Sequence, residues 1–295
     1  MDITVVIPAF NEADTIKKDI RAVNKQAFDG EITILVVDNG STDNTAEIAE
    51  SMGATVVSEP KAGSYVARNT GIEHAEDDYI AFTDADTTLD PDWIANGIAA
   101  LEEGADAVSG PIVVESKPSD GFIAKFDEVL GFSKETLKTA NLITRKEVFD
   151  EVGTFDETLI SGGDVEWGNR VERSKFTYRY DESVVVRHEP RRTLRDLLGK
   201  NIRTGYGNGQ KERIRGNYDS RIKLAIGIVL NSYLFPQWVG WVNKEVFFGD
   251  TDLNSTQAVL FVPLTIFLGV GMYYGYCRGL VEGTNGSRIG DYGWW

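Results

Sequence analysis

The chain has 295 residues, 42% of them hydrophobic, and carries a formal net charge of −16. This length and hydrophobic content are enough to bury a full core, which argues against a disordered chain. Because the chain has one cysteine, Cys277, the sequence excludes an intramolecular disulfide and a cysteine metal cluster. This cysteine lies in an apolar run.

The charge is unevenly distributed along the sequence. Residues 1–186 contain 16 Lys and Arg against 37 Asp and Glu, whereas residues 187–223 contain 11 against 4. So acidic a body argues against a nucleic-acid partner. It also favours a halophilic source, because a salt-rich cytoplasm would screen the repulsion between the carboxylates.

The first half of the sequence predicts an α/β fold with a mostly parallel sheet and flanking helices. The first residues lack the basic flank of a signal peptide and lead directly into a strand. β-Branched runs then alternate with helical patterns. The predicted strands are Thr4–Pro8, Thr33–Asp38, Thr55–Ser58, Tyr79–Asp84 and Ala107–Pro111. The predicted helices are Glu12–Gln26, Thr45–Met52, Tyr65–His74 and Pro91–Glu102, the last with Asp90 as its N-cap.

The fourth predicted strand runs into two aspartates, Asp84 and Asp86. Alternate strand residues share a face, so both carboxylates would point the same way if the strand continues through them. At the carboxyl edge of an α/β sheet, such a pair would suit Mg²⁺ or Mn²⁺ carrying a diphosphate. The alternative is a solvated turn, because residues 87–91 have the composition of a turn leading into a helix.

Polar residues also follow the first and second strands, in the segments 8–12 and 38–45. Turn formation and helix capping would explain them in part, since Asp43 or Thr45 would cap the next helix. A ligand would explain why three neighbouring strands all end in polar residues at one edge.

Four blocks together resemble the family 2 glycosyltransferases, which have the GT-A fold. They are Val6 to Glu12 (VIPAFNE), Val36 to Thr45 (VVDNGSTDNT), Ala67-Arg68-Asn69 with Gly71, and Asp84-Ala85-Asp86. The resemblance covers about residues 1–210 and implies a nucleoside-diphosphate-sugar donor bound with Mg²⁺ or Mn²⁺. The implied donor-binding residues are Pro8, Ala9, Asn11, Glu12, Asp38, Asp43, Arg68, Asp84 and Asp86. For Arg68 the alternative is a surface ion pair.

Two other functions are compatible with such a sheet. A sugar nucleotidyltransferase shares the diphosphate chemistry but would need a glycine-rich basic loop after the first strand, which residues 8–12 do not supply. A non-catalytic membrane scaffold could retain the fold without the reaction.

The segment Gly162-Gly163-Asp164-Val165-Glu166-Trp167 resembles the acceptor side of the same family. Asp164 matches the catalytic carboxylate, although many members have Glu-Asp where this chain has Gly163-Asp164. The resemblance implies an inverting single displacement, for which one general base suffices, and we predict Asp164 in that role. Glu166 and Arg170 are secondary candidates and are predicted to pair at i,i+4. The alternative for Asp164 is a helix cap.

His188 follows Ser183–Arg187, a further predicted strand. A single histidine of this kind is often structural. Its position also matches the family histidine that completes the metal shell, here beside Asp86.

The last third of the sequence predicts a membrane region. Two uncharged runs, 224–242 and 258–277, have 19 and 20 residues, and about 20 helical residues cross a bilayer core. The second predicts a spanning helix with a close-packing notch at Gly271-x-x-x-Gly275. The first could instead be re-entrant or interfacial.

The predicted domains follow from these runs. They are a catalytic domain at 1–220 with a basic juxtamembrane stretch at 187–223, a two-helix hairpin within 221–278, and a tail at 279–295. Flanking Lys and Arg place the catalytic domain and the tail in the cytoplasm. We therefore predict a multi-pass protein of the cell membrane whose acceptor is membrane-associated, such as a polyprenyl- or dolichol-phosphate-linked glycan.

Overall fold

The structure, a computed structural model, describes residues 2–131, 136–216 and 255–283. Its chain forms two units. The first comprises Met1–Val114, Phe132–Glu157 and Gly163–Glu189, and the second comprises Glu115–Gly131, Thr158–Gly162 and Pro190–Trp295.

Two sheets form the first unit. The strands are β1 (Ile3–Ala9), β2 (Ile32–Asp38), β3 (Thr55–Ser58), β4 (Tyr79–Thr83), β5 (Thr87–Leu89), β6 (Ala107–Ser109), β7 (Ile112–Val114), β8 (Asn141–Arg145), β9 (Tyr178–Tyr180) and β10 (Val186–His188). Seven of them form a sheet in the order β3-β2-β1-β4-β8-β6-β9, in which β8 runs antiparallel to both neighbours and the other pairs are parallel. The smaller sheet has the order β5-β10-β7. The predicted α/β arrangement with a mostly parallel sheet is confirmed.

Helices lie between the strands and in the second unit. Those of the first unit are α1 (Ile16–Val23), α2 (Thr45–Ser51), α3 (Ser64–His74), α4 (Trp93–Glu102), α6 (Lys146–Val152) and α7 (Gly163–Glu172). Those of the second unit are a short 3₁₀ helix (Pro118–Asp120), α5 (Gly121–Leu130), α8 (Leu194–Gly216) and α9 (Ser255–Glu282).

Strand β1 lies at the centre of the core. Its residues Ile3, Val5, Val6 and Ile7 have no exposed surface, which is the pattern of a strand covered on both faces. Helix α3 packs closely on it at Gly71, where a Cβ atom would lie 2.3 Å from a Val6 methyl group. This glycine therefore lets α3, which carries Arg68, approach the central strand.

The segment after β4 differs from its prediction. The strand ends at Thr83, because the Thr87 hydroxyl donates to the Asp84 carbonyl at 2.8 Å and closes a turn. The expectation that Asp84 and Asp86 continue one strand is therefore wrong. Residues 87–89, read from the sequence as part of a turn, form β5.

The start of α4 also differs from its prediction. The helix begins at Trp93, so Pro91 does not stand at its first position and Asp90 is not its N-cap. The Asp90 carboxylate instead accepts a hydrogen bond from Arg187 Nε at 2.9 Å. The Asp90 side chain therefore forms an ion pair with Arg187 instead of the predicted helix cap.

Helices α8 and α9 of the second unit pack with their backbones in contact. A Cβ atom at Gly205 or Gly209 of α8 would lie 1.9 or 2.2 Å from a carbonyl oxygen of α9. One at Gly275 or Gly279 of α9 would lie 2.0 Å from a carbonyl oxygen of α8. The predicted close packing at Gly271-x-x-x-Gly275 is confirmed, and α8 supplies its partner.

The predicted membrane hairpin receives no support from the structure. Within the described parts of the chain, no helix is both long and apolar enough to cross a membrane. The second predicted span, 258–277, lies within α9. The first, 224–242, lies outside the described residues, as does the tail from residue 284 onward.

Candidate active site

The loops after β1 and β2 lie together at the carboxyl edge of the large sheet. Ala9 pairs with Asp38 at the ends of the two strands. The Asn11 amide donates to Ser41 Oγ at 2.9 Å, and the Thr42 amide donates to Asn11 Oδ1 at 2.8 Å. Asn11 has φ of +56°, a conformation that a short amide side chain tolerates better than most residues. These bonds fix the loop that follows Pro8 and Ala9.

Two residues of the second loop that are predicted to bind the sugar donor, Asp43 and Asp38, accept local hydrogen bonds. Asp43 accepts from the Ala13 amide at 3.2 Å and from the Thr45 hydroxyl, and the bond from Thr45 is the main reason that the pKa of Asp43 is lowered. Asp38, which is nearly buried, accepts from the Ser41 amide at 3.3 Å. Their roles toward a donor remain predictions.

Arg68 forms an ion pair with Asp84 at the same edge. The arginine is 5% exposed, so the pair is not the surface pair considered as an alternative. Its Nη1 donates to the Ser64 carbonyl at 3.0 Å, while Nε is buried without a hydrogen-bond partner among the described residues. A buried guanidinium with a spare donor suits a polar or anionic ligand.

Asp86, which directly precedes β5, lies beside His188 at the end of the neighbouring strand β10. His188 pairs with Thr87 in the antiparallel register of β10 and β5, so the histidine lies beside Asp86. The distance from His188 Nε2 to Asp86 Oδ2 is 3.0 Å. The other ring nitrogen, Nδ1, lies 2.6 Å from the Glu189 carbonyl oxygen, which can only accept, so Nδ1 carries a hydrogen. By the same argument Nε2 donates to Asp86 Oδ2, and it can offer a lone pair to a metal ion once the ion takes the place of that hydrogen.

The charge around this pair fits a dication. Burial raises the pKa of Glu12, and the carboxylates of Asp86, Asp84 and Asp43 raise it further. Burial, followed by Asp86, raises the pKa of Asp19 to about 9. Both Asp19 oxygens are buried without a hydrogen-bond partner among the described residues.

The ligand chemistry of the pair agrees with that charge. One carboxylate and one imidazole suit Mn²⁺, whereas Mg²⁺ prefers oxygen ligands. Across the described ranges there is no group of three or more His, Cys, Asp or Glu placed to bind a metal. Asp86 and His188 could hold such an ion, with its remaining coordination positions filled by other ligands or water.

Asp19 was missed by the sequence reasoning, although a signal was present. It lies on α1 at the buried positions shared with Ile16, Ile20 and Val23. A charged residue within the apolar periodicity of a helix is unusual, and it marks a group held for a reason other than packing.

Asp164 lies in the first turn of α7 and is held by Tyr65. The Tyr65 hydroxyl accepts from the Gly163 amide at 2.8 Å and from the Asp164 amide at 3.3 Å, and it donates to Asp164 Oδ1 at 3.4 Å. Burial, followed by the Asp164 carboxylate, raises the pKa of Tyr65 well above its usual value, so the hydroxyl keeps its proton. Tyr65 was also missed, because one tyrosine near a helix start has no distinguishing pattern.

The secondary candidates Glu166 and Arg170 form the predicted i,i+4 ion pair, with Nε and Oε1 2.9 Å apart. Arg170 also donates to the carbonyls of Val152 and Thr154, each at 2.7 Å. The Glu166 carboxylate is thus engaged by an arginine that fixes a neighbouring loop. This arrangement favours Asp164 over Glu166 as the base.

Comparison with known sequences identifies a family and several relatives. Residues 4–155 match the model of the family described as Glycosyl transferase family 2. The chain is 35% identical to the glycosyltransferase AglE of Haloferax volcanii over 303 residues, covering 97% of this chain and 95% of that protein. It is 32% identical to the glycosyltransferase AglJ of the same organism over 117 residues, covering 39% of this chain and 38% of AglJ.

Comparison with solved structures identifies the fold. The mannosyltransferase PcManGT from Pyrobaculum calidifontis, solved with GDP-Man and Mn²⁺, superposes with a TM-score of 0.63 at 18% identity over 95% of this chain and 87% of that one. S. aureus TarS 1–349 in complex with UDP-GlcNAc gives 0.54 at 17% identity, over 96% and 91%. At these identities the likeness supports the GT-A-like fold alone.

Proposed function

Since this chain belongs to glycosyl transferase family 2, we propose that it transfers a sugar from a nucleoside-diphosphate donor, with inversion, to a membrane-associated acceptor. The observation that carries the proposal is the Asp86–His188 pair, 3.0 Å apart within a surplus of carboxylates. The Arg68–Asp84 pair at the adjacent strand end gives the same site a buried cation for the donor. The nucleotide sugars bound to PcManGT and TarS are consistent with such a donor.

The roles of the site residues follow from their chemistry. Asp86 and His188 would hold Mn²⁺ or Mg²⁺, and a bound dication would neutralise the charge that develops on the leaving diphosphate. Asp84 and Arg68 orient the nucleoside part of the donor. The loops after β1 and β2, which are hydrogen-bonded to each other, form the wall around them. Asp164 takes the proton from the acceptor hydroxyl as the new glycosidic bond forms.

An acceptor linked to a lipid is supported by the second unit. One face of α9 exposes Ile266, Phe267, Val270 and Tyr274, which are 45, 47, 56 and 54% accessible. An apolar helix face of this kind suits a bilayer interface, and the Lys- and Arg-rich residues 187–223 suit anionic headgroups. We therefore propose a location at the cell membrane with the catalytic unit on the cytoplasmic side, and a polyprenyl- or dolichol-phosphate-linked acceptor.

Donor binding tests the proposal directly. The purified protein is screened for thermal stabilisation by nucleotide sugars with Mn²⁺, Mg²⁺ or chelator. A ligand at 100 times its Kd adds about 2.7 kcal/mol to the free energy of unfolding, which a melting curve resolves. The preferred donor should stabilise only with a dication, and Asp86→Ala should lose both this effect and turnover.

The matched control is Glu103→Gln, which removes an exposed carboxylate paired with Arg179. This variant should retain donor binding and turnover. Full turnover by wild-type protein after exhaustive chelation would contradict the metal assignment. Absence of stabilisation by every nucleotide sugar, together with absence of donor hydrolysis, would contradict the enzymatic proposal.

A further inference from the structure

The Tyr65 hydroxyl lies at the centre of the hydrogen bonds that hold Asp164. A phenol oxygen has two lone pairs and one hydrogen. Here the lone pairs accept from the amides of Gly163 and Asp164, at 2.8 and 3.3 Å. The hydrogen is then directed to Asp164 Oδ1, 3.4 Å away. The side chain is 6% exposed, so water does not compete for these positions.

This arrangement distinguishes the two oxygens of Asp164. Oδ1 accepts from Tyr65 and from the Val165 amide at 2.9 Å. Oδ2 accepts no hydrogen bond from the residues that the structure describes. Since the carboxylate is held through Oδ1, Oδ2 is the oxygen left to accept a proton.

The local sequence allows the tyrosine to reach this position. A Cβ atom at residue 163 would lie 2.8 Å from the Tyr65 ring, so only glycine fits there without moving the ring. Gly163 is the position at which this chain departs from the Glu-Asp pattern noted in its sequence. The ring of Tyr65 lies against the Cα where that side chain would begin.

Tyr65 also connects Asp164 to the donor side of the site. It lies on α3 three residues before Arg68, whose guanidinium carbon is 5.8 Å from the tyrosine ring centroid. One rigid helix therefore carries both the partner of Asp84 and the partner of Asp164. A shift of this helix would move both groups together.

We propose that Tyr65 is a positioning residue for the transfer reaction, which acts by fixing the amides of residues 163–164 and orienting the Asp164 carboxylate. The inference rests on the proposed function, in which Asp164 is the general base. It assigns to Tyr65 an effect on the chemical step and none on donor affinity.

Tyr65→Phe removes the hydroxyl and keeps the ring against Gly163. The kcat should fall about tenfold, which corresponds to about 1.4 kcal/mol of transition-state stabilisation, while the donor KM stays within about twofold. The matched control is Tyr178→Phe, which removes a hydroxyl bonded to Ser109 at 2.7 Å and should leave kcat unchanged. An unchanged kcat in Tyr65→Phe, or a loss confined to KM, would overturn the inference.

A double-mutant cycle separates positioning from general destabilisation. Asp164→Asn should cost about 100-fold or more in kcat with donor binding retained. In that background Tyr65→Phe should add less than about twofold, because a residue acting through Asp164 has nothing left to orient. A full tenfold further loss would show that Tyr65 acts independently and would overturn the inference.

The remaining outcomes are also decisive. If Tyr65→Phe does not fold, Gly163→Ala provides a second route, because its methyl group displaces the ring while both partners remain. That variant should lower kcat without raising the donor KM, and an unchanged kcat would overturn the inference. Normal turnover in Asp164→Asn would overturn both the base assignment and the inference, whereas a slow Asp164→Asn with a normal Tyr65→Phe would overturn the inference alone.

Discussion

Asp19 is the residue whose environment conflicts most with its chemistry. A carboxyl group buried without a hydrogen-bond partner is disfavoured in its ionised form, because no protein group replaces the lost water. The negative charge of Asp86 adds to this effect. The protein therefore keeps a carboxyl group on the buried face of α1, beside the proposed metal site, at a cost in stability.

This cost gives a pH-dependent prediction. The pKa of Asp19 rises from its ordinary value of 3.8 to about 9 in the folded protein. Between these values the folded state holds a proton that the unfolded state has released, so the contribution of Asp19 to stability falls as the pH rises. Asp19→Asn should therefore raise the melting temperature of metal-free protein more at pH 8 than at pH 5.

Melting curves in chelator at several pH values check this prediction. The control is Asp14→Asn, which changes an exposed carboxylate just before the start of α1. It should leave the pH dependence as in the wild type. A melting temperature for Asp19→Asn that is lower than wild type at pH 8 would contradict the prediction.

At the scale of elements, strands with a clear run of β-branched residues were predictable, and the three-residue strand β5 was not. Strands β1 and β2 were predicted to within one residue at each end, because buried parallel strands are continuous β-branched runs. The half-exposed β3 was predicted at its observed bounds from the β-branched residues Thr55, Val56 and Val57. The sequence predicts a turn where β5 forms, because Thr87–Leu89 has three residues and its partner among the described strands is the distant β10. No local pattern contains that information.

The same limit applied to the candidate site. The ends of β1, β2 and β4 could be assigned to one edge, because parallel order fixes which ends meet. The proximity of His188 to Asp86 came only from resemblance to a family, since it depends on the register of β10 with β5. Tyr65 and Asp19 are local exceptions to pattern, and tertiary packing decides their roles.

The backbone contact between α8 and α9 gives a prediction at this scale. Gly209→Ala places a methyl group 2.2 Å from the Tyr276 carbonyl oxygen, so one helix backbone must move. Overpacking of this kind costs about 1–3 kcal/mol, which exceeds the roughly 1 kcal/mol that alanine gains over glycine in a helix. The second unit should therefore unfold at a lower temperature.

Thermal unfolding combined with limited proteolysis measures this change in the second unit. Asn208→Ala is the matched control, because residue 208 is exposed on the same helix and gains helix propensity without a clash. It should be neutral or slightly stabilising. Equal stability of Gly209→Ala and Asn208→Ala would contradict the observed helix contact.

For the whole molecule, the dominant property is the net charge of −16. Repulsion among surface carboxylates opposes the compact state. The acidic residues 1–186 hold a surplus of 21 carboxylates, taken as 37 Asp and Glu less 16 Lys and Arg. Such a surplus is tolerable where ions are abundant, because the screening length falls from about 10 Å at 0.1 M salt to about 3 Å at 1 M.

We therefore expect the melting temperature to rise between 0.1 and 2 M KCl. A salt that acts by screening should lose its effect when the charge is removed, and the control is a variant with four exposed glutamates changed to glutamine. The glutamates are Glu47, Glu50, Glu73 and Glu76. The variant has a net charge of −12, four less than −16, and should show a higher melting temperature at 0.1 M and a smaller rise with KCl. If both proteins gained equally, the salt would act by exclusion from the surface rather than by screening, and no gain at all would contradict the expectation of a protein adapted to high salt.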